Sequence, residues 1–138
     1  MSIAEQYSRP SSQIESCQRE VFPNMVKEFG FKDIMALSVS TGNGIWDYIF
    51  FKNFSGIKKI VATDIVEEAV KKSDQILLRS LGTWEFIKVA PDGILPFDEQ
   101  TFDLVYHLDV IEHTDNPLLF LSEQYRVLRS GGGNYRHP

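Results

Sequence analysis

The sequence holds a single cysteine, Cys17, among its 138 residues. One cysteine cannot form an internal disulfide, and it argues against a cysteine-based metal cluster. The histidines offer no alternative set of metal ligands, because His107 and His113 lie six positions apart and His137 lies in the C-terminal tail. The sequence therefore predicts no metal site.

Long apolar runs are also missing. No stretch approaches the roughly 18 apolar residues that a membrane-spanning helix needs, and the polar N-terminus lacks the pattern of a secretory signal. We therefore predict a cytoplasmic protein with no membrane contact.

Excess positive charge is absent too, since the net charge is -5. A negative chain lacks the broad basic surface that nucleic acid attracts. The pairs Lys58–Lys59 and Lys71–Lys72 are interpreted as solvated surface lysines. We predict no nucleic-acid partner.

The residues that are present suit one globular domain, with 43% hydrophobic and 24% charged residues. Ser12 to Glu15 have the spacing of a capping box and predict a leading helix that Pro23 bends and Gly30 ends. We predict an N-terminal helical segment over residues 1–30, an α/β domain over residues 31–133 and an unstructured tail over residues 134–138.

Strand patterns and helix patterns alternate along the rest of the chain. The predicted strands are Ile34–Val39, Lys58–Thr63, Trp84–Val89 and Phe102–Leu108. The predicted helices are Ile45–Phe54, a helix capped by Asp64 that lasts to about Leu81, and a last helix from Pro117 to Ser130 with an apolar face of Leu118, Leu121, Tyr125 and Leu128. This order predicts right-handed crossovers and a doubly wound, mostly parallel sheet, in which ligands bind beyond the carboxyl ends of the strands.

A glycine turn, Ser40 to Gly44, follows the first predicted strand. Glycines there let the backbone approach a ligand and present amide groups at a helix N-terminus. Asp64 follows about twenty residues later, where a carboxylate typically accepts hydrogen bonds from ribose hydroxyls. The pattern predicts a nucleotide-like ligand, with a plain chain reversal and a helix cap as the alternatives.

The turn itself distinguishes between nucleotides. A dinucleotide fingerprint that begins at Gly42 and Gly44 requires glycine at position 47, and Asp47 stands there. A carboxylate at that helix N-terminus is expected to repel a pyrophosphate. S-adenosylmethionine has no phosphate and meets no such objection.

Four further motifs occur in order after Asp64. They are Leu95-Pro96-Phe97, Phe102 to Val105, Asp109 to His113 and Glu123 to Gly132. With the glycine turn and Asp64, they resemble the class I, Rossmann-like, S-adenosylmethionine-dependent methyltransferases that act on small molecules. The resemblance covers residues 34–133.

The resemblance implies S-adenosylmethionine as cofactor, a small-molecule methyl acceptor and a set of site residues. The implied cofactor-binding residues are Ser38, Ser40, Thr41, Gly42, Asn43, Gly44, Asp64, Ile65, Asp92, Gly93, His107, Leu108 and Asp109. His113 is the candidate proton acceptor, with a structural role at a helix end as the alternative.

Three positions depart from the family pattern. Ser38 stands where the family usually has an acidic residue, Ser40 where it usually has the first glycine, and Pro91 where the adenine loop is most often acidic. If the backbone at Ser40 has a positive φ, the serine β-carbon is expected to crowd the cofactor.

The family continues after Gly133 into a fifth strand, which the tail of this chain does not predict. We therefore expect a Rossmann-like methyltransferase fold that lacks its last strands and exposes the fourth strand. Self-association or a partner chain would cover that strand. The alternatives are a methyltransferase or its cofactor-binding fragment, a non-catalytic interaction module of the same fold, and a nicotinamide-dependent oxidoreductase, which Asp47 disfavours.

Overall fold

The computed structural model describes residues 2–8, 32–107 and 115–133, together with residues 21, 24 and 28. In chain order the elements are α1 (Ile3–Ser8), β1 (Ile34–Ser38), α2 (Ile45–Asn53), β2 (Ile57–Asp64), α3 (Lys72–Leu81), β3 (Thr83–Lys88), β4 (Phe102–Tyr106), α4 (Pro117–Val127) and β5 (Leu128–Gly133).

The strands of the described residues form one five-stranded sheet in the order β3-β2-β1-β4-β5. All neighbouring strands run parallel. From β1 the chain builds outward through β2 to β3, and it then crosses to the other side of β1 to form β4. This reversal places the switch point between β1 and β4, which is where such sheets bind ligands. The predicted α/β, doubly wound, parallel fold is confirmed.

Both faces of the sheet are covered. Ala36 and Leu37 on β1 point to opposite faces and are both fully buried. Ala36 belongs to a core shared with α1, α2 and α3. Leu37 belongs to a second core, which Phe120 and Val127 of α4 complete. Burial on both faces explains why the central strands consist almost entirely of apolar residues.

The four predicted strands appear within two residues of their predicted bounds, and α3 ends before Gly82 as predicted. The start of α3 was predicted wrongly. This helix begins at Lys72, not directly after Asp64, and Asp64 is the last residue of β2. The Asp64 carboxylate accepts hydrogen bonds from two loop amides, so it is not a helix cap.

The prediction of an exposed fourth strand is wrong. The last helix ends at Val127, and Leu128–Gly133 forms β5, which pairs parallel with β4 through Phe102 and Leu128 and through Leu104 and Gly133. The sequence indicated a helix stop because of the run of glycines after Ser130. Strand pairing depends on backbone groups, which glycine also has. The segment Leu128–Gly133 can therefore pair with the edge of β4 although its side chains show no strand pattern. The expected self-association across β4 therefore loses its basis.

The buried face of α4 also differs from the prediction. Leu118 and Tyr125 are 81% and 67% exposed, whereas Phe120, Gln124 and Val127 are buried. The helix has apolar residues on more than one side, so periodicity alone did not identify the face that meets the sheet.

The short helix α1 lies inside the predicted N-terminal helical segment, ahead of the helix that the sequence predicts from Ser12. Its Ile3 is 1% exposed and donates its backbone amide to Asp74 at 3.3 Å. Tyr7 packs edge-on against Tyr48 of α2, with 5.2 Å between ring centroids. Apart from residues 21, 24 and 28, the predicted helix over residues 12–29 lies outside the described residues, as does the tail over residues 134–138, so the domain bounds stay a prediction.

Within the described part of the chain, no helix combines the length and the apolar character that crossing a membrane requires.

Candidate functional site

The turn between β1 and α2 has an unusual backbone. Ser40, Gly42 and Gly44 all have positive φ, at 56°, 60° and 90°. Glycine adopts this region at no steric cost, whereas a residue with a β-carbon is strained there by roughly 1–2 kcal/mol. The condition for the expected crowding is thus present, because a side chain occupies a backbone position that favours glycine, and the crowding of the cofactor itself stays a prediction.

Backbone hydrogen bonds fasten this turn to the neighbouring strands. The Thr41 amide donates to the Thr63 carbonyl of β2 at 2.8 Å, and the Val39 amide donates to the Tyr106 carbonyl of β4 at 2.9 Å. The turn therefore takes its position from the strands on both sides of β1. The Gly44 amide closes the turn on the Thr41 carbonyl at 3.1 Å.

Asp64 joins the turn to the segment that follows β2. One carboxylate oxygen accepts the Gly42 amide at 2.9 Å, and the other accepts the Val66 amide at 3.0 Å. Each oxygen of a carboxylate has two acceptor positions, so the group retains capacity for further donors. Asp64 is partly exposed and lines a cavity.

This cavity, which we call the Asp64 cavity, has a volume of about 420 Å³. It lies beyond the carboxyl ends of β1, β2 and β3. Its walls also include a second acidic residue, Asp115, and are otherwise mainly apolar: Val39, Ile65, Val66, Val89, Ala90, Pro91, Ile94, Leu95 and Phe120. Acidic side chains among apolar walls suit a ligand with a flat apolar part next to hydroxyl groups.

A second cavity of about 280 Å³, which we call the turn cavity, lies on the other side of Ser40. Its lining includes Ser38, Thr41, Gly42, Asn43, Tyr106 and His107. Val39 and Ser40 line both cavities, so the two spaces meet at the turn.

The predicted site residues divide into four groups, with Ser40 in two of them. Ser38, Ser40, Thr41, Gly42, Asn43 and His107 line the turn cavity, whereas Ser40, Asp64, Ile65 and Gly93 line the Asp64 cavity. Asp92 and Gly44 line neither cavity. Leu108, Asp109 and His113 lie outside the described residues.

Local geometry explains the two that line neither cavity. Asp92 is exposed, and its carboxylate accepts the Ile94 amide at 3.0 Å within its own turn. Gly44 is buried, and a β-carbon there would lie 3.1 Å from Leu78 of α3. Gly44 therefore allows close packing of α2 against α3.

His107 follows β4 and is 1% exposed. Its Nδ1 lies 2.8 Å from Oε1 of Gln124, and an amide oxygen only accepts, so Nδ1 donates. Phe120 packs edge-on against the imidazole, with 5.0 Å between centroids. Two residues of α4, one turn apart, thus orient the ring at the wall of the turn cavity.

A pair of charged residues on α4 holds the loop that follows β3. Glu123 accepts the Leu95 amide at 2.8 Å, and Arg126 donates to the Phe97 and Leu95 carbonyls at 2.7 and 2.8 Å. The pKa of Glu123 lies below its ordinary value despite partial burial. The hydrogen bond from Arg126 lowers it most, and the hydrogen bond from the Leu95 amide lowers it further. The sequence analysis noted these two residues only as part of a motif.

The role of Asp47, which is fully buried on α2, was also not indicated by the sequence. Its carboxylate accepts hydrogen bonds from Thr41 at 2.8 Å, Trp84 at 2.9 Å and Tyr106 at 2.6 Å. Burial raises the pKa of the Asp47 carboxyl, and the hydrogen bonds to it oppose that rise. The only signal in the sequence was an acidic residue inside an apolar helix.

This geometry corrects one argument against a dinucleotide. Asp47 lines neither cavity, so its carboxylate does not meet a ligand directly. Position 47 still lacks the glycine of the dinucleotide fingerprint, because a buried side chain occupies the space between helix and sheet.

The described residues contain no group of three or more histidine, cysteine or acidic side chains with the geometry of a metal site.

A family model described as a methyltransferase domain matches residues 37–134 of the chain. No curated protein sequence gives a significant match. Among solved structures, the PH0226 protein of Pyrococcus horikoshii is similar with a TM-score of 0.69 and 25% sequence identity, over 92% of this chain and 59% of that protein.

A SAM dependent methyltransferase of Aquifex aeolicus has a TM-score of 0.66 at 24% identity, over 94% of this chain and 68% of that one. The YcgJ protein of Bacillus subtilis has a TM-score of 0.66 at 20% identity, over 79% and 46%. At these two identities the likeness shows the fold alone. The chain thus spans between 46% and 68% of the length of these three proteins.

Proposed function

Because this chain belongs to the family of methyltransferase domains, we propose that it binds S-adenosylmethionine at the carboxyl edge of its sheet and transfers a methyl group from it to a small molecule. The Asp64 cavity would hold the adenosine part, and the turn cavity would hold the methionine part.

One observation carries this proposal: two cavities share part of their lining at Ser40. The Asp64 cavity is mainly apolar, with the acidic residues Asp64 and Asp115 in its walls, which suits a purine base with a vicinal diol. The turn cavity is smaller, and its lining combines short polar residues with apolar and aromatic ones. A nucleoside that carries a short charged chain has two parts that can occupy these adjoining spaces.

Asp64 is the proposed partner of the ribose hydroxyls. Its oxygens already accept two backbone amides, and this fixes the carboxylate between the turn and the Val66 segment before a ligand arrives. An oriented carboxylate can accept two hydroxyl donors without losing further side-chain entropy. Ile65, Ile94 and Phe120 are the proposed cover of the adenine.

The proposed methionine-binding residues are Ser40 to Asn43, with Ser38 and His107 at the back of the same cavity. S-adenosylmethionine supplies an electrophilic methyl group on a sulfonium. Alignment of the donor with the acceptor can account for much of the rate of such a displacement, so the chain need only orient the two. His113 remains the candidate acceptor of a proton from the substrate.

Calorimetric titration with S-adenosylmethionine, S-adenosylhomocysteine and NAD tests the proposal. We expect the first two to bind and NAD not to bind. Binding of NAD alone would replace the proposal with the oxidoreductase alternative. Methyl transfer to small-molecule acceptors would then separate an enzyme from a non-catalytic interaction module that retains the cofactor.

A further inference from the structure

The inference concerns Asp47, a buried carboxylate behind the turn that the proposed ligand contacts do not include. Its donors come from three parts of the fold: Thr41 in the turn, Trp84 on β3 and Tyr106 on β4. Asp47 itself lies in the first turn of α2. A single side chain thus connects the turn to two strands and a helix.

Thr41 is the residue through which this connection reaches the site. It lies between Ser40 and Gly42, both of which have positive φ. Its amide is held by the Thr63 carbonyl at 2.8 Å, and its hydroxyl is held by Asp47 at 2.8 Å. With both its backbone and its side chain fixed, Thr41 holds these two neighbours, of which Ser40 is strained, in the conformation that lines the cavities.

Ser38, at the end of β1, belongs to the same network. It is 2% exposed and lies near enough to Asp47 that its side chain lowers the pKa of that carboxyl, against the larger effect of burial. Ser38 is also the position at which the family that the sequence resembles usually has an acidic residue. The carboxylate of Asp47 and the side chain of Ser38 therefore meet in one buried space behind the turn.

We propose that Asp47 is the positioning residue of the cofactor site, and that it supplies from α2 the buried carboxylate that β1 lacks at Ser38. This inference rests on the proposed function for its ligand, although the arrangement of the turn can be measured without one. Asp47 acts through Thr41 and does not touch the ligand, because it lines neither cavity.

The donor chemistry supports the proposal. Thr41, Trp84 and Tyr106 each present a proton to the same carboxylate, and an ionised carboxylate is an acceptor only, which matches the set. An asparagine at position 47 offers one acceptor oxygen and adds donors of its own. Asp47→Asn therefore keeps the volume of the side chain but removes the match between the three donors and an acceptor-only group.

Three variants test the proposal. Asp47→Asn removes the carboxylate, Ser38→Asp combined with Asp47→Asn returns it from β1, and Asp74→Asn is the matched control. Asp74 is also a buried aspartate, 3% exposed, but its carboxylate accepts the amide of Ile3 in α1. The readouts are the affinity for S-adenosylhomocysteine, the unfolding temperature and the hydrogen exchange of the Thr41 and Gly44 amides.

We expect Asp47→Asn to lower the affinity about tenfold or more, the ratio expected when a hydrogen bond to a charged group is lost. The double variant should recover most of that affinity, and Asp74→Asn should keep the affinity of the unaltered chain while it loses some stability. If Asp47 had only a structural role, Asp47→Asn would lower the unfolding temperature as Asp74→Asn does and would leave the affinity unchanged. Unchanged affinity in Asp47→Asn, or a double variant that binds no better than Asp47→Asn, overturns the proposal.

The hydrogen exchange separates this inference from the proposed function. If the unaltered chain does not bind S-adenosylhomocysteine, the proposed function fails. Faster exchange of the Thr41 and Gly44 amides in Asp47→Asn, reversed in the double variant, still supports the positioning role. Unchanged exchange overturns it. If neither Asp47→Asn nor the double variant folds, the carboxylate cannot be supplied from position 38 and the proposal is overturned as well.

Discussion

Two of the loops that line the Asp64 cavity are held in different ways. The glycine turn, Ser40 to Gly44, is fastened from behind by Asp47, whose exposure is 0%. The loop after β3, which includes Leu95 and Phe97, is fastened by Glu123 and Arg126, whose side chains are 12% and 30% exposed. One anchor is a buried carboxylate with uncharged donors, and the other is an ion pair that water reaches.

The difference predicts how each loop responds to change. Removal of a buried acceptor leaves its donors without water or protein partners, whereas water can replace a partner at the surface. Salt screens exposed charges but leaves buried hydrogen bonds largely unaffected. We therefore expect damage to the turn anchor to affect the whole fold and damage to the loop anchor to remain local.

The largest effect is expected from Asp47→Ala. It leaves buried Thr41, Trp84 and Tyr106 donors unsatisfied and opens a small cavity, so we expect a loss of about 3–5 kcal/mol in the free energy of unfolding. Chemical denaturation measures it, with Asp74→Ala as the buried control. A loss below about 1 kcal/mol would show that water enters and satisfies the donors.

Asp64→Ala is expected to weaken ligand binding more than it weakens the fold. Each charge-assisted hydrogen bond to the ribose that is lost should reduce binding by about 1.5–3 kcal/mol, which is more than tenfold in affinity. Loss of the Gly42 and Val66 partners should lower stability by about 1–2 kcal/mol, because both amides are within reach of water. Titration with S-adenosylhomocysteine measures the first effect. A folded variant with unchanged affinity would remove Asp64 from the site.

Arg126→Ala tests the weaker anchor. It removes hydrogen bonds to the Leu95 and Phe97 carbonyls and the pair with Glu123, and we expect a loss of about 1–2 kcal/mol in stability. The loss should shrink as salt is added, unlike that of Asp47→Ala. Arg126→Lys is the matched control, since it keeps the charge and loses the forked geometry. A loss that is independent of salt would contradict the comparison.

Ser40→Gly is expected to stabilise the chain. Glycine relieves the strain of a φ of 56°, and the greater freedom of the unfolded chain offsets part of the gain, so a net increase of about 0.5–1 kcal/mol is expected. Affinity for S-adenosylhomocysteine should rise or stay unchanged. A marked fall in affinity would instead identify the serine hydroxyl as a ligand contact.

The smallest effect concerns pH. The folded chain holds the pKa of Glu123 below its ordinary value of 4.5, so Glu123 contributes stability above that pH and loses it as the pH falls through the folded pKa. Glu123→Gln should therefore be less stable than the unaltered chain at neutral pH, by no more than about 1 kcal/mol, and the gap should close in acid. Thermal unfolding from pH 7 down to about pH 3 measures the gap. A gap that stays constant over this range would show that the charge of Glu123 is not involved.

Local patterns were enough to predict most of the fold. The strands from Ile34 to Tyr106 and the glycine turn were found because apolar runs, glycines and capping residues carry their information within a few neighbouring positions. The resemblance named Ser40 and Asp64, and both line the Asp64 cavity. Their role as ligand contacts stays a prediction until binding is measured.

The interpretations that failed depended on distant partners. Asp64 was predicted to cap a helix, but its carboxylate bridges Gly42 and Val66 across the turn. The last helix was predicted to bury Leu118, but the sheet meets Phe120 instead. In both cases several local arrangements satisfied the pattern, and contacts far away in the chain selected one of them.

The sequence by itself determined the alternation of strands and helices, the glycine turn and the acidic residue at the end of β2, because each depends on residues close together in the chain. Only the tertiary structure decided that Leu128–Gly133 pairs with β4 and that Asp47 gathers Thr41, Trp84 and Tyr106 around one buried carboxylate. Backbone pairing needs no side-chain pattern, and hydrogen bonds between residues 6, 37 and 59 positions apart leave no periodic trace in a sequence.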